Sequence, residues 1–179
     1  MNHQDHVALL RPGIPTSGGV WADLGAGTGA FTLALAEIIG PGGEIVAVDK
    51  DGRALDHLAA AFAARFPQVS LSTQTADFTR PLALPPLDGI VMANSLHFVR
   101  NKGAVLALVR GYLRPNGRLL IVEYNTDRGN QWVPYPFSYP TWERLARHAG
   151  FAQTQRLHAR PSRFLGEIYS AASWRALPG

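Results

Sequence analysis

Asp23-Leu24-Gly25-Ala26-Gly27-Thr28-Gly29 places an acid and three alternating glycines between the apolar run Val20–Leu24 and a helical pattern. Glycine permits backbone angles and close approaches that a Cβ forbids. A helix starting after the glycines turns its unpaired N–H groups and positive dipole end toward the turn. Such a turn receives a polar or anionic group of a ligand against bare backbone. Asp49 stands 22 positions beyond Gly27, where a carboxylate can accept hydrogen bonds from both hydroxyls of a ribose, a bidentate task that favours an acid over an amide. Asp77, between Ala76 and Phe78, suits the edge of an adenine, with the carboxylate accepting from the exocyclic amine and its neighbours covering the ring; capping of local backbone is the alternative. Asn94, Glu123 and Tyr124 complete a set of polar residues at the ends of apolar runs. Each alone can be a helix cap, and together they describe a nucleotide-shaped site.

The elements that must position these residues alternate strand and helix. Strands are expected at 20–24, 44–48, 69–73, 88–94 and 118–124, with helices at 28–39, about 55–66 and 102–113 between them and a turn at 114–117. That alternation implies right-handed crossovers and a parallel sheet with helices on both faces. Ligands of such sheets bind at the carboxyl ends of the strands, where strand order reverses. The pattern then changes: a long aromatic and Pro-rich loop at 125–139, a helix at 141–149, and two extended segments, 151–157 and 164–174, joined only by 158–163. A connection that short holds no crossover helix, so these two strands should pair antiparallel. The fold class is thus α/β, a doubly wound, mostly parallel seven-stranded sheet closed by an antiparallel pair.

At 179 residues the chain is expected to form one domain, residues 20–179, behind an N-terminal segment, 1–19, that carries a short helix at 6–11 and a Pro- and Gly-rich linker. His3 and His6 lie near each other on a helical turn without a nearby carboxylate, so a frayed terminus is expected there and no metal site. The absence of cysteine excludes disulfides, a thiolate metal centre and a thiol nucleophile. No apolar run approaches a membrane span, which makes a cytoplasmic protein the expectation. The net charge of +4 is uneven: residues 1–142 balance 11 basic against 11 acidic side chains, whereas residues 143–179 hold six arginines against Glu143 and Glu167. Scattered arginines without a lysine run read as a solvated surface, with a nucleic-acid footprint as the alternative.

The motif set Asp23 to Gly29, Val46-Ala47-Val48-Asp49, Ala76-Asp77-Phe78, residues 88–98 and Leu113-Arg114-Pro115-Asn116-Gly117 resembles the class I S-adenosylmethionine-dependent methyltransferases over about residues 20–175. The resemblance implies a Rossmann-like sheet with S-adenosylmethionine as methyl donor and S-adenosylhomocysteine as product. It implies that Asp23, Gly25, Ala26, Gly27 and Gly29 hold the methionine part, Asp49 the ribose, Asp77 and Phe78 the adenine, and Asn94 and Ser95 the floor near the sulfonium, with Lys50 and Ala76 also among the cofactor-binding residues. The implied reaction is in-line transfer to an acceptor, here expected to be a small molecule.

Gly25-x-Gly27-x-x-Ala30 with Asp49 also satisfies a dinucleotide fingerprint, the NAD-binding alternative. Against it, Asp23 would set a negative charge beside a pyrophosphate but suits an ammonium group. Methyl transfer from a sulfonium relies on alignment and exclusion of water. A base is needed only for a nucleophile that carries a proton, and His97 is the candidate; a histidine that merely packs at a helix start is the other reading. Tyr124, Trp132, Tyr135 and Phe137 are the expected substrate wall, with ordinary core as the alternative. With 19 residues before the first strand, the site is expected to be open, closed by another subunit, or suited to a large acceptor. Methylation of RNA or protein, and a non-catalytic binding or scaffold role, are the remaining alternatives.

Overall fold

The computed structural model describes residues 1–177. Its elements run α1 (His3–Leu10), β1 (Val20–Leu24), α2 (Ala30–Ile39), β2 (Glu44–Asp49), α3 (Gly52–Arg65), β3 (Ser70–Thr75), β4 (Leu87–Ala93), α4 (Lys102–Tyr112), β5 (Leu113–Tyr124), α5 (Tyr139–His148), β6 (Phe151–Ser162) and β7 (Gly166–Arg175). The strands form one sheet in the order β3-β2-β1-β4-β5-β7-β6. Pairing is parallel from β3 to β5 and antiparallel for β5 with β7 and β7 with β6. This is the expected Rossmann-like sheet, and its order reverses between β1 and β4.

Because strand side chains alternate between faces, the central strands feed two cores. Val91 and Ala93 of β4 join Leu35, Ile39, Leu58 and Phe62 from α2 and α3 on one face, where α1 adds Leu9 and Leu10. Ile90 and Met92 join Leu106 and Val109 of α4 and Trp142 and Ala146 of α5 on the other. The continuous apolar run of β4 thus reflects burial on both sides.

Several boundaries differ from expectation for local reasons. Residues 3–10 form a helix instead of fraying, because Asn2 and Asp5 cap each other reciprocally, Asn2 Oδ1 accepting from the Asp5 N–H and Asp5 Oδ2 from the Asn2 N–H, both at 2.9 Å. Its carboxylate partner comes from another element: His3 Nε2 lies 2.7 Å from Glu37 Oε2 on α2. The turn at 114–117 sits inside β5, where Leu87 pairs with Leu113 but Gly89 with Arg118, so these residues bulge from the ladder around Asn116 at φ +61°. The β6 strand continues to Ser162, accommodated by register shifts at Phe151/Gln153 and Arg156/His158, and the hairpin turn shrinks to 163–165.

The C-terminal arginines are largely engaged within the chain. Arg156 pairs with Glu167, Arg160 with Asp5, Arg144 donates to Thr141 and Arg175 to the Leu113 carbonyl. Arg160 thus ties β6 to α1 and Arg175 ties β7 to β5, whereas Arg144 and Arg156 bond within α5 and within the β6–β7 hairpin. No described helix is long and apolar enough to cross a membrane.

Candidate functional site

The reversal of strand order leaves a crevice between the loops that follow β1 and β4. Ser95, just past β4, donates from Oγ to the Leu24 carbonyl at 2.8 Å and locks the two strand ends together. Gly25, Gly27 and Gly29 all take left-handed backbone angles, with φ of +85°, +53° and +88°. Gly25 and Ala26 donate their N–H groups to the Val48 carbonyl at 2.8 and 3.1 Å. Asp49 completes the staple, Oδ2 accepting from the Gly27 N–H at 2.8 Å and Oδ1 from the Asp51 N–H at 2.9 Å.

The resulting cleft of about 360 Å³ is lined by Gly25, Asp49, Lys50, Phe78, Asn94 and Ser95 from the expected set. Thr79, Phe98 and Val99 also line it and were not anticipated, although they continue the same loops. Asn94 holds φ +52°, and its Oδ1 is enclosed with no hydrogen-bond partner. An enclosed acceptor without a partner is costly, and Asn94 is one of the residues lining the cleft.

Asp23 lies beneath the turn rather than on the cleft wall, 1% exposed, with Oδ2 accepting from Thr32 Oγ1 at 2.6 Å. Burial pushes its carboxyl up to about 7; the Thr32 hydrogen bond opposes the rise and the neighbouring Asp49 adds to it. Ala76 ties β3 to β2 by donating to the Asp49 carbonyl. Asp77 spends its carboxylate locally: Oδ1 accepts from the Thr79 N–H and hydroxyl at 2.9 and 2.7 Å, and Oδ2 faces Lys50 Nζ at 3.0 Å. The Thr79 hydroxyl and, secondarily, Lys50 hold its carboxyl down at about 2. The capping alternative therefore describes what Asp77 does in this structure, and Phe78 alone of the trio presents itself to the cleft.

Beside the cleft, His97 and Glu123 form a buried pair, at 3% and 0% side-chain exposure. Glu123 Oε2 lies 2.7 Å from His97 Nδ1, and Oε1 accepts from the His97 backbone N–H at 3.2 Å. A carboxylate only accepts, so it assigns the Nδ1 proton to the histidine and leaves Nε2 as the free position. Among the described residues Nε2 forms no hydrogen bond, and the His97 side chain as a whole is 3% exposed.

The loop after β5 is pinned at Tyr135, which donates its N–H to the His97 carbonyl at 3.0 Å while its own carbonyl accepts from Lys102 Nζ of α4 at 2.8 Å. Trp132 and Tyr135 are 66% and 40% exposed, and Tyr124 is half-buried. Phe137 offers no wall face. It is 1% exposed, packed 5.6 Å from the Trp142 ring, because α5 folds back over it and makes it core.

The sequence model of a family described as "Methyltransferase domain" matches residues 22–119, from β1 into the parallel part of β5. The chain belongs to that family. Comparison with curated protein sequences finds no match. Among solved structures, this methyltransferase resembles the YcgJ protein of Bacillus subtilis with a TM-score of 0.77 at 13% identity, covering 99% of this chain and all of that one. It also resembles an arsenic(III) S-adenosylmethionine methyltransferase of Chlamydomonas reinhardtii (TM-score 0.73, 19% identity, 91% and 65% coverage). A third is the Burkholderia thailandensis 1,6-didemethyltoxoflavin-N1-methyltransferase, solved with its acceptor and S-adenosylhomocysteine (TM-score 0.74, 22% identity, 97% and 78%). The chain thus spans about two thirds of the algal enzyme's length. At these identities the likeness is one of fold.

Within this methyltransferase the glycine turn tolerates little. A Cβ on Gly25 would stand 2.4 Å from Ser95 Cβ and 3.4 Å from Phe78, at a backbone angle that L side chains avoid. Left-handed strain of about 1–2 kcal/mol adds to overpacking of about 1–3 kcal/mol. Gly25→Ala is expected to lower the melting temperature by several degrees and to abolish binding of S-adenosylhomocysteine in calorimetry. Unchanged affinity would remove Gly25 from the site.

Proposed function

We propose that this methyltransferase binds S-adenosylmethionine in the cleft between Gly25 and Asn94 and transfers its methyl group to a small molecule whose accepting atom carries a proton. The residues fit the donor: bare backbone at Gly25 and Gly27, no atom within 4 Å of where a Gly27 Cβ would stand, an unpartnered Asn94 Oδ1 for a donor group, Asp49 beside the turn and Phe78 as an apolar wall. Asp23, whose carboxyl burial raises to about 7, ionises beneath the turn when an ammonium group binds above it. When bound, the donor brings an electrophilic methyl on a sulfonium, a good leaving group.

The observation that carries the acceptor reading is the His97–Glu123 pair with Nε2 unpaired. Glu123 holds the ring by two hydrogen bonds and keeps Nδ1 protonated, so Nε2 is oriented to take a proton from an acceptor. Residues that only packed at a helix start would not bury a carboxylate to orient an imidazole. Tyr135, pinned through its backbone, and Phe98 supply apolar surface that excludes water from the transfer. Pairing of Arg156 with Glu167 and of Arg160 with Asp5 supports a small acceptor over RNA.

Calorimetry with S-adenosylmethionine, S-adenosylhomocysteine and NAD tests the donor. The first two are expected to bind and NAD not. Asp49→Asn should weaken S-adenosylhomocysteine roughly 10- to 100-fold, the loss of charged hydrogen bonds of about 1.5–3 kcal/mol. Binding of NAD alone would overturn the reading.

A further inference from the structure

The large apolar side chains that remain exposed among the described residues are Met1, Phe98, Trp132, Tyr135, Phe164 and Leu177. Two of these are at or near the chain ends, and the other four sit on loops at one edge of the sheet. Phe98 follows β4, Trp132 and Tyr135 follow β5, and Phe164 tops the β6–β7 turn, which reaches the same edge because Tyr124 pairs with Ile168 at the start of β7. Exposed apolar surface gathered at one place marks a binding surface.

The rings are also linked. Phe98 lies 4.4 Å from the His97 ring at 52°, His97 lies 6.4 Å from Tyr124 at 47°, and Tyr124 lies 5.6 Å from Phe164 at 66°. Phe98 is 61% exposed and lines the cleft, whereas Phe164, 49% exposed, stands at the far end of the series. His97, with its unpaired Nε2, is the second ring of four.

From this we infer that Phe98, Tyr124 and Phe164 form the acceptor subsite and that the acceptor is a planar aromatic molecule bearing an ionisable O–H or N–H. The inference rests on the methyltransferase reading and assigns the substrate class of its site. Rings tilted by 47–66° present faces and edges in alternation, the arrangement in which a flat aromatic guest finds offset-stacked and edge-to-face partners. A saturated guest of the same size has no such partners. Continuity with the cleft, through Phe98, and with the proton acceptor, through His97, distinguishes a substrate subsite from a patch that docks another protein. Phe164 comes from the hairpin that closes the sheet and is the specificity-determining residue of the group: its ring packs on Tyr124 and is not among the residues lining the donor cleft.

The test is titration of 2-naphthol and of decahydro-2-naphthol into the protein saturated with S-adenosylhomocysteine, with light scattering to follow oligomeric state. The naphthol is expected to bind at least threefold tighter than its saturated counterpart. Phe164→Ala and, separately, Phe98→Ala should weaken the naphthol roughly three- to tenfold, the range of a lost aromatic pair. Phe164→Trp should retain it, and the Phe164 variants should leave affinity for S-adenosylhomocysteine unchanged. Equal binding of the two alcohols, no response to Phe164→Ala, or a dimer that Phe164→Ala dissolves would overturn the subsite while leaving the donor site standing. Failure of S-adenosylhomocysteine itself to bind would overturn the methyltransferase reading and this inference with it.

Discussion

Protein carrying Asp23→Asn is expected to melt roughly 10 °C above the unsubstituted chain at pH 8 and at nearly the same temperature at pH 4. Asp23 is buried beneath the glycine turn, with its carboxyl raised from 3.8 to about 7. The fold therefore favours the neutral acid. The contribution of this group is fully present below about pH 4 and is lost as pH rises through about 7, because folding must then bury a charge or bind a proton. A shift of that size corresponds to about 4 kcal/mol at 1.36 kcal/mol per unit, and about 2–4 °C per kcal/mol applies to a chain of this length. Asparagine keeps an acceptor for Thr32 Oγ1, so the hydrogen bond survives and only the titration is removed. The difference between the two melting curves isolates Asp23 from other titrating groups. A constant offset from pH 4 to pH 8 would show that burial of the charge is not the cause. The same substitution should weaken S-adenosylhomocysteine, whose ammonium group is the expected partner of that charge, and saturating ligand should narrow the gap at pH 8.

His97→Ala is expected to lower methyl transfer by roughly 10²- to 10⁴-fold, the usual contribution of a positioned general base, with affinity for S-adenosylhomocysteine unchanged within about twofold. Glu123→Gln should give an intermediate loss. The amide can donate as well as accept, so it no longer assigns the proton to Nδ1, and ¹⁵N NMR of His97 should show a mixture of tautomers where the unsubstituted protein shows one. Rates measured on an acceptor recovered from a metabolite screen decide the first claim, and the NMR signature decides the second independently of turnover. A donor affinity that collapses together with the rate would mean instead that the pair only supports the cleft. Glu123 is in this account a positioning residue, acting through the imidazole.

Much of the cleft was legible because its determinants are local. Gly25 declares a turn that a Cβ would block, Asp49 follows at the spacing set by one helix and one strand, and Asn94-Ser95 ends a strand whose apolar run announces burial on both faces. Gly27 and Asp49 meet through the Gly27 N–H, and Lys50 turns to Asp77. Phe98, Val99 and Thr79 escaped notice because nothing in their local pattern separates a residue facing a crevice from one facing solvent. Asp77 was legible as a polar residue at a strand end but not in its use, since an aspartate two residues before a threonine satisfies itself within its own turn, at 2.9 and 2.7 Å.

By itself the sequence determined the alternation of strands and helices, the antiparallel close and the identity of the glycine turn, all properties of spacing over at most a few tens of residues. Only the tertiary structure decided which side chains meet across the chain. Glu123 reaches His97 over 26 positions, Arg160 reaches Asp5 over 155, and Phe137 sinks against Trp142 while Trp132 on the same loop stays in solvent. Periodicity says which face of an element is apolar, but not what that face meets. The register of β5 against β7 answers that for Phe164, bringing a turn near the end of the chain to the same edge of the sheet as the loops after β4 and β5.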